Sequence, residues 1–282
     1  MNLLVKMPTR QRPHKALPLL DQYIRYASGE QPMHLVICVH HDDATMRNPE
    51  VEQRILDQAA RAMQKNITLY MVPHRGKTKV DAYNANPQYD LWDIQVATSD
   101  DMVPRLHGYD KIIVELMQEK FPGTNGILHF NDGHRAEQLM SLPIVGRTWY
   151  NRFNYVYCPE YVSLYCDNEM MDVARLTGTY YYDERVVIEH CHPAFIGETR
   201  DPLLNHTESF YDRDGAVYQA RKEAKFYLKD GLLPNAMDLL AAADAAAALP
   251  SAPPNRQGVQ VRHTTSSRPA RVPRREKPKR RR

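Results

Sequence analysis

The sequence has few cysteines and no long apolar segment. Its 282 residues include four cysteines and no C-x-x-C pair, so it encodes neither a disulfide framework nor a zinc ribbon. No window offers the roughly 18 apolar residues that a membrane span needs, and the first residues do not have the pattern of a signal peptide. We therefore expect a protein without a membrane partner in a reducing compartment. That compartment is the cytoplasm, and it is the host-cell cytoplasm if the protein is viral.

Glycine is scarce, with 12 residues, and it is missing where common nucleotide-binding loops need it. The segment after the first predicted strand, residues 7–13 (MPTRQRP), lacks the G-x-G-x-x-G loop of dinucleotide sites. The R-G-K-T sequence at residues 75–78 lacks the upstream glycine of a Walker loop. Because both phosphate-binding loops are excluded, the diphosphate of a bound nucleotide would need another counter-charge.

The first part of the chain alternates between apolar strands and helical patterns. Short apolar segments predict buried strands at residues 2–6, 33–40, 67–72 and 91–97. Helical patterns lie between them at residues 14–28, 49–65 and 79–89. This order predicts an α/β fold with a Rossmann-like, mostly parallel sheet flanked by helices. Ligands of such a sheet bind beyond the carboxyl ends of its strands.

The second half is less regular but still predicts defined elements. These are a helix at 109–120, strands at 126–130 and 143–149, a helix from Asn168 to Leu176, one strand that ends at His190 and His192, and helices at 215–229 and 235–248. From residue 250 onward Pro, Ser and Arg predominate. Residues 250–282 are therefore predicted to be a disordered basic tail that follows the C-terminal helices.

Charge is distributed unevenly along the chain. Residues 250–282 contain 11 Lys and Arg and one acidic residue, Glu276, a net charge of +10. Because the whole chain carries +3, the remainder carries −7. A basic tail is attracted to polyanions, with an affinity that falls steeply with salt, so we expect DNA to bind there. A role in solubility, or contact with the acidic remainder, is the alternative.

Charged and polar residues follow each predicted strand of the first part. The segments are residues 7–13, 40–46, 73–79 and 98–104. In the last of them Asp100 and Asp101 stand side by side. Carboxylates hold divalent ions through oxygen, and such an ion can neutralise a diphosphate. These residues therefore indicate a Mn²⁺ or Mg²⁺ site at this edge of the sheet.

The sequence Ser99-Asp100-Asp101 at a strand end resembles the D-x-D element of GT-A-fold glycosyltransferases, especially the inverting family-two enzymes. Further segments resemble these enzymes in the same order, over roughly residues 3–195. They are MPTRQRP, the acids Asp42 and Asp43, the basic loop GKTK, Asp167-Asn168-Glu169 at a helix start, and EHCHP at residues 189–193.

The resemblance implies roles for particular side chains. The residues expected to bind the donor are Pro8, Thr9, Arg10, Arg12, Asp42, Asp43, Lys77, Lys79, Ser99 and Asp100. Asp100 is expected to contact either the ribose or the metal. The metal ligands are Asp101 with His190 or His192, and the catalytic base is Asp167 or Glu169. Acceptor binding is expected at Asn131, Asp132, Trp149, Tyr150 and Arg152.

The resemblance also divides the chain. Residues 1–105 form the nucleotide-sugar-binding half, residues 106–234 the acceptor-binding and catalytic half, residues 235–249 an Ala-rich helix, and residues 250–282 the tail. The implied activity is metal-dependent transfer of a hexose or pentose from a nucleotide sugar, a UDP-sugar, to a hydroxyl, with inversion. The tail suggests a hydroxymethylated pyrimidine in DNA as acceptor, as for phage-type DNA glycosyltransferases.

Three other functions are consistent with the sequence. The chain could glycosylate a glycan or small molecule, with an incidental tail. It could be a metal-dependent nuclease that uses Asp100, Asp101, Glu169 and a histidine, or a nucleic-acid-binding protein without catalysis. The sequence carries no signal for an oligomeric state.

Overall fold

The structure is a computed structural model that describes residues 1–85, 92–197 and 201–229. The predicted helix at 235–248 and the tail at 250–282 lie outside these residues. The strands are β1 Leu3–Thr9, β2 Met33–His40, β3 Ile67–His74, β4 Ile94–Ala97, β5 Met102–Pro104, β6 Ile127–Phe130, β7 Pro143–Gly146, β8 Tyr180–Asp183 and β9 Ile188–His190. The helices are α1 Pro13–Tyr26, α2 Pro49–Met63, α3 Lys79–Asn84, α4 Tyr109–Lys120, α5 Arg147–Tyr150, α6 Cys166–Leu176, α7 Pro193–Ile196, α8 Pro202–Glu208 and α9 Tyr211–Glu223. None of these helices is both long and apolar enough to cross a membrane.

A seven-stranded mixed sheet forms the centre, in the order β3-β2-β1-β4-β7-β6-β8. The first four strands are parallel to one another, whereas β7 runs antiparallel to both β4 and β6. A separate antiparallel pair joins β5 to β9. The α/β prediction is therefore confirmed, and the carboxyl ends of β1 to β4 share one edge of the sheet.

Helices cover both faces of the sheet, which is why β1 is buried along most of its length. Its side chains alternate between two apolar cores, with Leu3, Val5 and Met7 in one and Leu4 in the other. The first core packs α1, α2 and α4 against the sheet, and the second packs α3, α5 and α6. Two buried layers hold the strand ends, and the loops that follow them, in fixed positions.

Helix α2 begins where the sequence predicts. The side chain of Asn48 accepts a hydrogen bond from Val51 N at 3.1 Å, and Pro49 occupies the first turn. Residues Glu50 and Glu52 lie in that turn, near the positive end of the helix dipole.

Four predicted elements differ from the observed ones. The helix predicted at 79–89 ends at Asn84, because Ala85 has an extended backbone. The strand predicted at 143–149 ends at Gly146 and continues as α5. The single strand predicted before His190 is two strands in different sheets, separated by a bend where Arg185 pairs with Asp183 at 2.8 Å. The helix predicted at 215–229 is α9, which starts at Tyr211 and ends at Glu223. The residues soon after α9, Lys225, Phe226 and Tyr227, have left-handed φ angles of 49° to 54°, so the helix does not continue to residue 229.

Candidate active site

A cleft of about 810 Å³ lies at the carboxyl ends of β1 to β4. Thr9 ends β1, His40 ends β2, His74 ends β3, and Ser99 follows β4; all four line the cleft. Side chains of α3, β9 and α8 and of the segment before α6 also line it. The parallel topology therefore gathers loops that are far apart in the sequence into one site.

Most of the predicted site residues line this cleft. They are Pro8, Thr9, Arg10, Arg12, Lys77, Lys79, Ser99, Asp100, Asp101, Asp167, His190 and His192. The other predicted residues lie outside its lining, namely Asp42, Asp43, Asn131, Asp132, Trp149, Tyr150, Arg152 and Glu169. The two sets have different environments.

Asp100 is held by two donors. Thr9 Oγ1 donates to Asp100 Oδ2 at 2.6 Å, and the Arg12 guanidinium donates to Asp100 Oδ1 at 3.0 Å. The residue is 6% exposed. Burial raises the pKa of the Asp100 carboxyl, although Arg12 and Thr9 act in the opposite direction. Because both of its oxygens already have partners, Asp100 is a rigid part of the cleft wall.

Asp101 lies beside a histidine on β9. His190 Nε2 is 3.6 Å from Asp101 Oδ2, and Ser99 donates a hydrogen bond to Asp101 Oδ1. Burial acts to raise the pKa of Asp101, but its contacts with His190, Ser99 and His192 outweigh burial and hold that pKa well below its usual range. Asp101 is therefore an anion at the floor of the cleft.

The backbone fixes this acid and this histidine relative to each other. Cys191 N donates to the Asp101 carbonyl at 2.8 Å, and His190 N donates to the Asp132 carbonyl at 2.9 Å. The pairing of β5 with β9 continues this contact. The buried Nδ1 of His190 has no hydrogen-bond partner among the described residues.

A divalent ion fits this corner only with ligands from outside the protein. Within residues 1–85, 92–197 and 201–229, no group of three or more His, Cys, Asp or Glu side chains could by itself hold a metal. Asp101 and His190 offer one carboxylate oxygen and one imidazole nitrogen. Ions such as Mg²⁺ are commonly bound by one or two protein ligands that are completed by phosphates and water. The donor set therefore suits an ion that arrives with a diphosphate.

Asp167 lies in the first turn of α6 and lines the same cleft. The turn is set by Tyr165, the residue before the helix, which has a left-handed φ of 60°. Burial raises the pKa of the Asp167 carboxyl, and the charge of Lys79 opposes this. A carboxylate with a raised pKa is a better proton acceptor than an ordinary one.

Glu169, two residues further along α6, faces away from the cleft and is 4% exposed. The Arg221 guanidinium on α9 donates to both of its oxygens, at 2.7 and 2.9 Å, and Tyr161 OH donates at 2.6 Å. The two acids are not interchangeable, since Asp167 faces the cleft and Glu169 joins α6 to α9.

The two acids after β2 also differ. Asp43 is buried and accepts hydrogen bonds from Gln11 N at 2.7 Å and from Thr45 N and Met46 N at 3.1 Å. It thus ties the loop after β1 to the loop after β2. Asp42 is exposed, hydrogen bonds to His40, and lies 3.3 Å from the Arg10 guanidinium. The bond from His40 lowers the pKa of Asp42.

The residues predicted to bind the acceptor have structural contacts instead of cleft contacts. Trp149 is 2% exposed and its indole N–H donates to Thr179 Oγ1 at 3.0 Å. Tyr150 packs edge-on against Trp92, and Arg152 follows α5, where burial lowers the pKa of its guanidinium. The Asp132 carboxylate accepts Arg135 N at 2.6 Å and Ser141 Oγ at 2.7 Å, and Asn131 accepts Gly133 N at 2.9 Å.

The cleft also contains residues that the sequence analysis did not select. His40 and His74 face each other edge-to-face at 5.4 Å, and burial lowers the pKa of His74 to about 4. On the opposite wall Leu203, Leu204 and Phe210 come from α8 and the residue pair after it. The histidines could have been found as the last residues of β2 and β3, but the segment of α8 has no recognisable sequence motif.

Comparisons with solved structures identify similar folds. The mannosyltransferase PcManGT from Pyrobaculum calidifontis, in complex with GDP-Man and Mn²⁺, has a TM-score of 0.52 and 14% identity over 87% of this chain and 80% of its own. TarS from S. aureus has a TM-score of 0.50 and 12% identity over 68% of this chain. This chain spans 37% of the length of TarS, and 61% of TarS 1–349, which has the same TM-score and identity.

Comparison with protein-family models finds no match, and comparison with curated proteins finds none either. At these identities the structural likeness is informative about architecture. The chain has the GT-A fold of these glycosyltransferases, as the sequence resemblance implied.

Proposed function

We propose that this protein is a metal-dependent glycosyltransferase that moves a sugar from a nucleotide sugar, a UDP-sugar, to a hydroxyl acceptor with inversion. The observation that carries the proposal is the convergence of three groups on one cleft. These are the anionic Asp101 beside His190, the immobilised Asp100, and the half-buried Asp167. Asp100 and Asp101 follow β4, whereas His190 ends β9 and Asp167 lies in α6, so the fold brings distant parts of the chain to one cleft.

The donor half of the cleft has the charges that a nucleotide diphosphate needs. Arg10, Arg12, Lys77 and Lys79 line it, and Thr9 and Arg12 hold Asp100 in one orientation. A fixed carboxylate can accept hydrogen bonds from ribose hydroxyls without reorganisation. In this proposal Asp100 binds the ribose and Asp101 faces the diphosphate.

Asp101 and His190, with His192 beside them, would hold the divalent ion. When bound, a divalent ion stabilises the negative charge that develops on a departing diphosphate. The Asp101 carboxylate stays ionised because its contacts keep its pKa low, so it can bind a cation at any physiological pH.

Inversion requires a base on the acceptor side. Asp167 is the cleft-lining carboxylate of α6, and we assign it to accept the proton of the attacking hydroxyl. General base catalysis contributes about 10²–10⁴-fold to a rate. Glu169 does not suit this role because both of its oxygens already bind Arg221.

A thermal-shift panel tests the donor and the metal together. UDP-, GDP- and other nucleotide sugars are each measured with Mn²⁺ and with EDTA. A ligand at 100 times its dissociation constant adds about 2.7 kcal/mol to the free energy of unfolding. We expect a UDP-sugar to raise the melting temperature with Mn²⁺ and not with EDTA. If no nucleotide sugar stabilises the protein, the proposed activity is wrong.

We further propose that the acceptor is a hydroxymethylated pyrimidine in DNA. The +10 charge of residues 250–282 supports this, since phosphate contacts by Lys and Arg give salt-sensitive binding. Incubation of hydroxymethylated and unmodified duplexes with the stabilising donor, followed by mass spectrometry of the nucleosides, tests it. Transfer to glycans or small molecules but not to DNA would contradict the DNA acceptor alone.

The nuclease alternative has less support. It needs Glu169 to join Asp100 and Asp101 at one metal, and Glu169 instead pairs with Arg221 outside the cleft. Incubation of plasmid DNA with Mg²⁺ and the protein is the direct test, and we expect no cleavage.

A further inference from the structure

The Arg12 side chain lies between two carboxylates from distant parts of the chain. One of its terminal nitrogens is 3.0 Å from Asp100 Oδ1, and the other is 2.6 Å from the Asp201 carboxylate. Residues 12 and 201 are 189 positions apart in sequence. The Arg12 side chain is 15% exposed, and its buried Nε has no hydrogen-bond partner among the described residues. The guanidinium therefore depends on its two terminal contacts for its position.

Asp201 has a second contact on the other side. It is the N-cap of α8, and its Oδ1 accepts a hydrogen bond from Leu204 N at 2.8 Å. Leu203 and Leu204 of α8, with Phe210 beyond it, line the cleft. One carboxylate thus starts the helix that forms a cleft wall and also binds the arginine that holds Asp100.

We propose that Asp201 is a positioning residue that, through Arg12, fixes α8 as a wall of the cleft and couples this wall to the Asp100 side. The coupling to a donor rests on the function proposed above, in which Asp100 binds the nucleotide sugar. The position of α8 itself does not depend on that function.

The electrostatics agree with the geometry. The contacts with Arg12 and Leu204 N outweigh burial and lower the pKa of Asp201, and the two carboxylates outweigh burial and raise the pKa of Arg12. The pair is therefore ionised at neutral pH. An ordinary exposed ion pair contributes little, but the Arg12 side chain is mostly buried, which reduces solvent screening.

Two substitutions separate the cap from the ion pair. Asp201→Asn keeps an N-cap side chain, because Asn caps helices about as well as Asp, but it removes the charge. Asp201→Glu keeps the charge but caps poorly. If the ion pair positions α8, Asp201→Asn loosens the helix and Asp201→Glu does so less. If Asp201 is only a helix cap, Asp201→Glu loosens α8 more than Asp201→Asn does, and that result would overturn the proposal.

Hydrogen exchange followed by mass spectrometry, on the full chain without ligand, reads out the position of α8. We expect Asp201→Asn to speed amide exchange in residues 202–210 by about five- to tenfold, as the loss of a partly buried ion pair implies. Asp21→Asn is the matched control, because Asp21 pairs with Arg61 at 2.6 Å at an exposed site between α1 and α2. It should leave residues 202–210 unchanged. Unchanged exchange in Asp201→Asn would also overturn the proposal.

The coupling between α8 and the Asp100 side of the cleft is tested with UDP and Mn²⁺ as the probe. In the natural sequence we expect the probe to slow exchange in residues 202–210, and in Asp201→Asn we expect this protection to fall while protection around residues 98–102 persists. Adding Asp201→Asn to an Arg12→Gln background should change nothing further, because both act through one contact. If UDP does not bind, the proposed function fails, yet the measurement without ligand still decides the role of Asp201. If UDP binds and the variants exchange like the natural protein, the role of Asp201 is refuted alone.

Discussion

Two carboxylates at the start of α6 predict opposite mutational effects. Asp167 lines the cleft, whereas Glu169 is buried against Arg221. We predict that Asp167→Asn removes turnover and retains stability, and that Glu169→Gln lowers stability and retains turnover of the folded protein. Both changes replace a carboxylate by its amide at nearly constant volume, so each is the matched control of the other.

The size of each effect follows from its environment. Loss of a general base costs about 10²–10⁴-fold in kcat. Removing one partner of a buried ion pair costs about 3–5 kcal/mol. We expect the lower end for Glu169→Gln, because Arg221 keeps its contact with Glu160. About 3 kcal/mol corresponds to a melting temperature roughly 6–12 °C lower for a chain of this size.

The pH dependence gives a second signature. Asp167 must be ionised to accept a proton, and burial raises its pKa above the ordinary value of about 3.9. The rate should therefore be highest above this raised pKa and fall as the pH decreases through it. In Asp167→Asn the residual rate should lack this acidic limb.

The assay is release of the nucleotide diphosphate from the stabilising donor in the steady state, with donor affinity measured by calorimetry and folding by thermal denaturation. Donor affinity should change less than threefold in either variant. The reasoning is refuted if Asp167→Asn keeps more than a tenth of the natural turnover, or if folded Glu169→Gln loses a hundredfold.

Three further outcomes are expected. Asp101→Asn should abolish the Mn²⁺-dependent thermal shift with a UDP-sugar, a loss of about 2.7 kcal/mol at 100 times the dissociation constant. A persistent shift would exclude Asp101 from the metal site. Trp149→Ala should lower the free energy of unfolding by about 3–5 kcal/mol in urea titrations, and an unchanged midpoint would contradict its core position. Deletion of residues 250–282 should remove salt-sensitive DNA binding in a filter assay, whereas the thermal shift with the donor should remain. If the full chain and the deletion variant bind DNA with equal affinity, residues 250–282 are not the DNA-binding segment.

Most of the parallel half could be predicted from sequence because its signals are local. Apolar segments mark β1 to β4, and Asn48 with Pro49 marks the start of α2. The later elements depend on contacts between distant residues. β5 and β9 are three-residue strands that pair with each other across more than 80 positions of sequence. A pattern along the chain does not contain this pairing.

The site was predictable to the same extent. Strand ends together with the family resemblance selected the candidate residues, and twelve of those residues line the cleft, nine of them acids or bases. The sequence could not predict which way each side chain in the first turn of α6 faces. Asp167 and Glu169 are two residues apart, and the packing of α9 against α6 decides that Arg221 binds Glu169. The burial of Trp149 and Tyr150 could not be predicted either, because exposed and buried aromatic residues are alike in sequence.

The cleft draws residues from Pro8 to Phe210, and this span affects how the protein is made. Synthesis proceeds from the N-terminus, and domains form as their segments emerge from the ribosome. The loops after β1 to β4 are synthesised first, whereas α6, β9 and α8, which complete the cleft, are synthesised later. A nascent chain that stops before α8 would lack Leu203 and Leu204, so its cleft would be missing one wall.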